Sequence, residues 1–270
     1  MAKTGKKDKK SDDKTSGRDK SADKVPAAPA PAPAAAEGQP DVHIYEVEGV
    51  RIPHDPAIIS EKVVRSIEAG RYEREEVQGT PKFLEPGDRV IELGAGLGFI
   101  SSYIWKAVGI RDILCLEANP VLCDFIARVH QMNGVRAEIR NCVALNDTQA
   151  PGWMDFYLRE PFWSSSLDPE EAYERQVQVE GVSLSALIRK FGATTLIVDI
   201  EGGEKMLFDA LDMGPVNKVF LEIHTRKIRQ IGVKRCFDAL SNLGFCYDQQ
   251  VSRGGAVLFR RIPERQLRKG

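Results

Sequence analysis

The chain lacks the features that mark several protein classes. Its five cysteines include no C-x-x-C pair, and its four histidines show no spacing typical of a zinc site. No apolar run approaches the roughly 20 residues that a membrane-spanning helix needs. The 38 basic and 39 acidic side chains leave a net charge of −1, which gives no general attraction for nucleic acid. We therefore expect reduced thiols, no metal, no membrane span and no specific nucleic-acid partner.

The first 40 residues differ in composition from the rest. Residues 1–24 are mainly Lys, Asp, Ser, Thr, Gly and Ala, and residues 25–36 form a Pro-Ala run. Such a segment has too little apolar surface to offset its ordering entropy, so we predict a disordered tail over residues 1–40. It is compatible with a solubilising role or with weak contact to an anionic surface. Because no apolar stretch follows the basic start, we expect a cytoplasmic protein.

Hydrophobic periodicity predicts the organisation of the remaining chain. The pattern "VHIYEVEGVRIP" alternates like a hairpin and "PAIISEKVVRSIEAG" has a helical face, which together give an N-terminal extension over residues 41–80. Over residues 81–270, five apolar runs alternate with helical patterns, beginning with "RVIEL" and "DILCLEA". This alternation predicts an α/β domain with a Rossmann-like, mostly parallel seven-stranded sheet and helices on both faces.

The end of the chain breaks the alternation. "FCYDQQV", a Gly254–Gly255 turn and "AVLFRR" follow one another without a helix between them. We predict a C-terminal antiparallel hairpin. This hairpin is typical of class I methyltransferases and distinguishes them from the dinucleotide-binding fold.

A glycine-rich turn follows the first strand of the predicted domain, in "RVIELGAGLGF" at 89–99. In a dinucleotide fingerprint, G-x-G-x-x-G, the third glycine would fall on Phe99, so that fingerprint is absent. Glu92 precedes the turn, and a carboxylate there favours S-adenosylmethionine, which carries a sulfonium and an ammonium group and no phosphate. Glu117 ends the second strand, where a carboxylate can accept both ribose hydroxyls.

Five motifs occur in one order between residues 41 and 261: "GDRVIELGAGLGFIS", "CLEANPVLCDFI", "VSLSALI", "LIVDIEGGEKMLF" and "VFLEIH". Together they resemble the FkbM-type branch of the class I S-adenosylmethionine-dependent methyltransferases. The D-x-E-G-x-E element at 199–204 is the most specific of them. The chain has Glu92 and "GLG" where many relatives carry Asp and "ANIG", a change that preserves the charge.

The resemblance implies a function and a set of cofactor contacts. It implies O-methylation of a hydroxyl group on a sugar, natural product or other small acceptor, with S-adenosylmethionine as donor. It also implies that residues 69–76 fold over the cofactor. The implied cofactor-binding residues are Glu92, Gly94, Gly96 and Gly98 for the methionine portion, Glu117 for the ribose, and Asn141 to Ala144 for the adenine.

Polar side chains also follow two later strands. Asp199 and Glu201 lie at the end of "TLIVDI", Glu204 follows just after it, and Glu222 and His224 end "KVFLEIH", so all five should converge near the cofactor. A hydroxyl acceptor must lose a proton, and we assign His224 or Asp199 as the base, with Glu201 and Glu222 orienting the acceptor. For Glu204 we prefer a helix N-terminal role or a surface ion pair.

Two points stay open at the level of sequence. The insert over 156–176 contains Phe162, Trp163 and Ser164–Ser166, which suit an acceptor wall or an ordinary packed crossover. The whole domain is also compatible with a non-catalytic protein that holds the cofactor or a partner. A nicotinamide-dependent oxidoreductase is disfavoured by Phe99 and by the terminal hairpin.

Overall fold

The protein is described here by a computed structural model that covers residues 43–267. The tail predicted over residues 1–40 lies outside the described residues. The five cysteines lie inside them and carry free thiols, of which Cys115, Cys142 and Cys236 are buried. Over the same part of the chain, none of the helices has the length and apolar character required to cross a membrane.

The N-terminal extension begins with the predicted hairpin. Strand β1 (Ile44–Val47) pairs antiparallel with β2 (Val50–Pro53) across a turn in which Glu48 and Gly49 have positive φ. Two positive φ values give a turn whose twist matches that of the strands. Two short helices follow, α1 (Glu61–Glu68) and α2 (Arg74–Gly79), and then a 3-10 turn (Thr80–Lys82).

A nine-stranded sheet forms the centre of the described residues. Its strands are β3 (Arg89–Leu93), β4 (Asp112–Glu117), β5 (Glu138–Leu145), β6 (Gly152–Leu158), β7 (Arg175–Ser183), β8 (Thr195–Val198), β9 (Lys218–Glu222), β10 (Phe245–Arg253) and β11 (Ala256–Arg261). The accompanying helices are α3 (Phe99–Tyr103), α4 (Pro120–Asn133), α5 (Leu184–Phe191), α6 (Glu204–Leu207), α7 (Thr225–Asn242) and α8 (Glu264–Leu267).

The strand order is β10-β11-β9-β8-β3-β4-β5-β7-β6. Neighbouring strands are parallel except at the pairs β10/β11, β11/β9 and β7/β6. The C-terminal hairpin therefore joins the sheet with β11 between β9 and β10. The predicted α/β, Rossmann-like class with a mostly parallel sheet and a C-terminal antiparallel hairpin is confirmed.

The sheet has two strands more than the sequence predicted. The additional strands β6 and β7 extend it beyond β5, because β7 pairs parallel with β5 and antiparallel with β6. The alternation in "QVQVEGV" was a readable strand signal. The segment between β6 and β7, residues 159–174, folds back toward the centre of the sheet and contributes to the cavity described below.

Apolar side chains cover both faces of the sheet. On one face α3, α4 and the N-terminal extension share a core that includes Ile52, Val63, Phe99 and Phe125. A second core, which includes the fully buried Leu196, involves α5, α6 and α7. Strands buried on both faces read as continuous apolar runs, as "TLIV" of β8 does.

A buried ion pair closes the amino-terminal edge of the sheet. Lys218 Nζ lies 2.6 Å from Asp88 Oδ2, and Thr194 Oγ1 donates to Asp88 Oδ1 at 2.8 Å. Burial raises the pKa of Asp88, but hydrogen bonds from Lys218, the Glu85 amide and Thr194 outweigh it and leave the pKa below its usual value. The pair is thus maintained in its charged form.

We expect Lys218→Met to lower the free energy of unfolding by about 3 kcal/mol, because it leaves the Asp88 carboxylate buried without its cation. Chemical denaturation at neutral pH measures this. The double variant Asp88→Asn/Lys218→Met should recover part of the loss, since it removes both charges. A single variant as stable as the wild type would show that the pair contributes nothing to folding.

Candidate functional site

A cavity of about 1070 Å³ opens at the carboxyl ends of the central parallel strands. Ligands bind at this end of open α/β sheets because the loops there diverge. Of the residues predicted from the sequence, the lining includes Glu92, Gly94, Gly96, Glu117, Cys142, Val143, Ala144, Asp199, Glu201, Glu222 and His224. Gly98 and Asn141 are not part of it.

The glycine turn between β3 and α3 depends on close backbone approach. Gly94, Gly96 and Gly98 all have positive φ, of 81°, 54° and 71°. A Cβ at Gly94 would lie 1.8 Å from the carbonyl oxygen of Asp199, and a Cβ at Gly98 would lie 2.9 Å from Ile126 Cγ2. Gly94 thus lets the turn touch the end of β8, whereas Gly98 lets α3 start against α4.

Glu92 lies on β3, one residue before the strand ends, and its side chain is buried beneath the turn. Cys115 Sγ donates a hydrogen bond to Glu92 Oε2 at 3.2 Å. Burial raises the pKa of Glu92 to about 7, although hydrogen bonds from Cys115 and Ser101 oppose the shift. A cation in the cavity would therefore favour the ionised carboxylate.

Glu117 ends β4 and lies across the turn from Glu92. The amide of Gly96 donates to its Oε2 at 3.0 Å, and the amide of Asn119 donates to its Oε1 at 2.8 Å. Each oxygen thus accepts one backbone hydrogen bond and keeps capacity for another. Burial raises the pKa of this carboxyl group to about 7 as well, against the lowering effect of the amides.

Asn141 stabilises the end of β4 and does not line the cavity. Its side chain is exposed, and Nδ2 donates to the carbonyl oxygens of Glu117 and Ala118, both at 2.9 Å. The amide therefore fixes the end of β4. At this edge the cavity is lined by apolar groups that suit a flat ring, among them Val143, Ala144 and Phe156.

Four carboxylates surround His224, the residue that precedes α7. Its Nε2 lies 3.4 Å from Asp199 Oδ1, 3.4 Å from Glu201 Oε1 and 4.0 Å from Glu222 Oε1, and its Nδ1 lies 3.4 Å from Glu204 Oε1. The sequence thus predicted correctly that these side chains lie close together. We call these five residues the His224 cluster.

Of the two roles predicted for Glu204, the helix N-terminal one agrees with the structure and the surface ion pair is wrong. It stands at the first position of α6 but is fully buried, and its Oε1 accepts a hydrogen bond from the amide of His224 at 3.0 Å. Its Oε2 is buried without a hydrogen-bond partner. The carboxylate faces inward because α6 packs closely against α7.

Negative charge is crowded in the cluster. The pKa of Asp199 is raised well above its usual value by burial and then by Glu222 and Glu73. Burial lowers the pKa of His224, but the nearby Glu204 carboxylate and the charges of Glu201 and Glu222 raise it above the usual value overall. The site is therefore suited to bind a cation or to accept a proton.

Residues of the N-terminal extension complete the cavity. Tyr72, Glu73 and Glu76 line it, and burial followed by the charge of Glu222 raises the pKa of Glu76 to about 7. Tyr72 packs edge-on against Phe99, with ring centroids 5.4 Å apart. Sequence reasoning gave these side chains no individual role, because nothing in "RYEREE" shows which acids turn inward.

The insert between β6 and β7 provides another wall. Phe162, Trp163, Ser165 and Ser166 line the cavity, and Lys62 Nζ lies 4.9 Å from the centroid of the Trp163 ring. The wall therefore combines aromatic surface with hydroxyl groups. Phe162 and Trp163 also pack against the apolar core, so the structure is compatible with both an acceptor wall and a packed crossover.

A scan against protein-family models and a search of curated proteins found no match. Among solved structures, the chain is similar to M. jannaschii TYW2 in complex with AdoMet, at 12% identity and a TM-score of 0.43 over 84% of this chain and 89% of that one. It is similar to P. horikoshii TYW2 in complex with MeSAdo, at 13% identity and a TM-score of 0.44 over 83% and 70% of the two chains.

A third similar structure is the ribosomal protein L11 methylase of Lactobacillus delbrueckii subsp. bulgaricus, at 11% identity and a TM-score of 0.44. The likeness covers 72% of this chain and 80% of that one. Because the sequence identities and the TM-scores are low, the function proposed below rests on this chain's own residues.

Proposed function

We propose that the protein is an S-adenosylmethionine-dependent methyltransferase of the FkbM type, which transfers a methyl group to a hydroxyl on a sugar, natural product or other small acceptor. One observation carries the donor assignment. Two buried carboxylates, Glu92 and Glu117, flank a glycine turn that closes onto the end of β8.

The electrostatics of the turn favour this donor over a dinucleotide. A pyrophosphate beside Glu92 and Glu117 would meet like charge in a partly enclosed cavity, where repulsion is stronger than in water. S-adenosylmethionine instead brings a sulfonium and an ammonium group. The turn also places Phe99, a fully buried side chain, at the position of the third fingerprint glycine.

The cavity offers a place for each part of the donor. We assign the methionine portion to Glu92 and the glycine turn, and the ribose hydroxyls to the free acceptor capacity of Glu117. The adenine then lies along the apolar edge near Val143 and Ala144. This orientation directs the sulfonium methyl toward Asp199, whose backbone touches Gly94.

The His224 cluster lies where an acceptor would meet that methyl group. Transfer is an in-line displacement in which the acceptor oxygen forms a bond to the methyl carbon as the carbon–sulfur bond breaks, giving S-adenosylhomocysteine and a methyl ether. The hydroxyl proton must leave as well. Asp199, Glu201 and His224 are placed to remove it, and the aromatic wall at Phe162 and Trp163 would hold the acceptor.

Methyl transfer from a labelled donor into a metabolite extract tests the proposal. We expect labelled product to form with the wild-type chain and to be absent with heat-denatured protein. A chain that binds S-adenosylmethionine but yields no product from a wide range of extracts would instead be a non-catalytic binding domain.

Donor binding should depend on pH through Glu92. Because burial holds its pKa near 7, the carboxyl group is largely protonated below that pH and largely ionised above it. A cationic donor binds the ionised form more tightly, so affinity should fall about tenfold between pH 7.5 and pH 5.5. Calorimetric titration measures this, and pH 7.5 is the upper limit because the donor's own amino group titrates near pH ~7.8.

Glu92→Gln is the matched variant, since it keeps the shape of the side chain and removes the charge. We expect it to fold, to bind S-adenosylmethionine about tenfold more weakly at pH 7.5, and to show a flatter pH dependence. Glu61→Gln, which changes a side chain that is 92% exposed on α1, should behave as the wild type. An unchanged affinity of the folded Glu92→Gln variant would contradict the role of this carboxylate.

A further inference from the structure

We propose that Asp199, Glu222 and His224 form a binding site for a divalent metal cation. One ligand atom from each of the three residues lies within 4.8 Å of the others. Asp199 follows β8 and Glu222 ends β9, two adjacent parallel strands, and His224 follows two residues later. The site therefore stands at the ends of two hydrogen-bonded strands of the sheet, the kind of element that holds metal ligands well.

The surroundings of His224 orient its ring toward such a site. His224 Nδ1 is buried and has no hydrogen-bond partner among the described residues, and the fully buried Glu204 carboxylate lies beside it, with Oε1 at 3.4 Å. A carboxylate at Nδ1 favours the tautomer with its proton there, which leaves the Nε2 lone pair facing Asp199 and Glu222. Metal-binding histidines are commonly held by a carboxylate in this way.

The carboxylates of the site also form no salt bridge with a lysine or arginine of the described residues. Over residues 43–267, the salt bridges of Asp199 and Glu222 are to His224 alone. Lys227 lies nearby, but its Nζ is bound to Glu201 Oε2 at 3.1 Å. Glu73 and Glu76 add further negative charge from the N-terminal extension. The Asp199 and Glu222 side chains are partly exposed, at 35% and 37%, and their like charges lie close enough that a bound cation would offset their repulsion.

The donor set indicates the kind of metal. Two carboxylate oxygens suit Mg²⁺ and Mn²⁺, and the imidazole nitrogen favours a first-row transition metal such as Mn²⁺ over Mg²⁺. Since all three side chains border the cavity, the remaining coordination positions would be open to water or to oxygen atoms of the acceptor. The expectation of no metal came from cysteine and histidine spacing. That criterion cannot detect a site built from carboxylates on separate strands.

This inference rests on the proposed function for its role in catalysis. An acceptor hydroxyl bound to a divalent cation has a lowered pKa and loses its proton more readily. With a cation bound, Asp199 and His224 would hold the metal in place of acting as the base. Glu201, whose Oε1 lies 3.4 Å from His224 Nε2, is outside the ligand set and would then accept the proton. The deprotonated oxygen would be the nucleophile for the methyl group of the donor.

Titration with Mn²⁺ tests the site in the absence of donor and acceptor. The full chain is first treated with chelator, and free Mn²⁺ is followed by electron paramagnetic resonance. We expect one site per chain, affinity at least tenfold weaker in Asp199→Asn and in Glu222→Gln, and no change in Glu61→Gln. Circular dichroism establishes that each variant is folded. Wild-type binding no tighter than that of the folded variants would overturn the proposal.

Two further measurements identify the metal ligands and distinguish the metal site from the proposed methyltransferase function. Spin-echo spectra of bound Mn²⁺ should show a coordinated imidazole nitrogen that is lost in His224→Asn. Saturating S-adenosylmethionine should leave Mn²⁺ bound. Displacement of Mn²⁺ by the donor would overturn the metal site and assign these carboxylates to the donor. Mn²⁺ binding without donor binding would instead support the metal site and remove the proposed methyltransferase function.

Discussion

Replacing His224 or Asp199 by alanine should lower the rate of methyl transfer by about 10²- to 10⁴-fold, the usual contribution of acid–base groups. Both side chains border the part of the cavity where the acceptor oxygen would meet the donor methyl group, and their atoms lie 3.4 Å apart. Donor affinity should change only a few-fold, because Glu92 and the glycine turn remain. Single-turnover transfer to the acceptor identified by labelling gives the rate, and calorimetry gives the affinity.

His43→Ala is the control for this pair of variants, since it removes an exposed histidine from the start of the described chain. It should transfer methyl groups at the wild-type rate. If His224→Ala and Asp199→Ala both retained near-normal turnover with donor binding intact, the assignment of the His224 cluster to proton removal would be wrong.

Gly94→Ala should abolish detectable donor binding and lower the free energy of unfolding by about 3 kcal/mol. The new Cβ would lie 1.8 Å from the Asp199 carbonyl oxygen, so the turn must move away from β8. The positive φ adds roughly 1–2 kcal/mol of strain, and overpacking adds a similar amount. Denaturation and donor titration measure the two effects.

Gly109→Ala separates strain from close contact. Gly109 has a φ of 88°, close to that of Gly94, but a Cβ there has no neighbour within 4 Å. This variant should lose only about 1 kcal/mol and should bind the donor normally. Equal effects in the two variants would show that backbone strain, and not the approach of the turn to β8, explains the loss at Gly94.

Much of the fold was predictable because local signals agreed with the tertiary structure. Helix α4 shows this well, since Pro120 occupies its first position and Gly134 follows its end with a φ of 68°. The terminal hairpin was equally clear, because two apolar runs enclose a Gly-Gly turn. In both places the turn residues and the apolar periodicity predict the same type of element with the same ends.

The strand count was less predictable. Trp153 is 74% exposed on β6, so this edge strand shows only weak apolar alternation. Strand β7 has clearer alternation, but its long separation from β6 made the segment resemble a crossover loop. The additional strands form because β7 pairs with the edge of β5. This pairing depends on the tertiary structure and leaves no local signal in the sequence.

The site was predictable in its location but not in its electrostatics. Strand ends identified Asp199 and His224, because parallel strands bring their carboxyl ends together. The inward position of Glu204 depends on the packing of α6 against α7, and that of Glu76 depends on how α2 lies over the cavity. Neither contact leaves a local pattern in the sequence.

Calorimetric titration of the full chain with S-adenosylmethionine and with NADH, at pH 7.5, tests the central claim most directly. The two buried carboxylates beside the glycine turn predict that S-adenosylmethionine binds at one site per chain and that NADH does not bind. Binding of NADH, or no binding of S-adenosylmethionine to the folded protein, would contradict the proposed donor site.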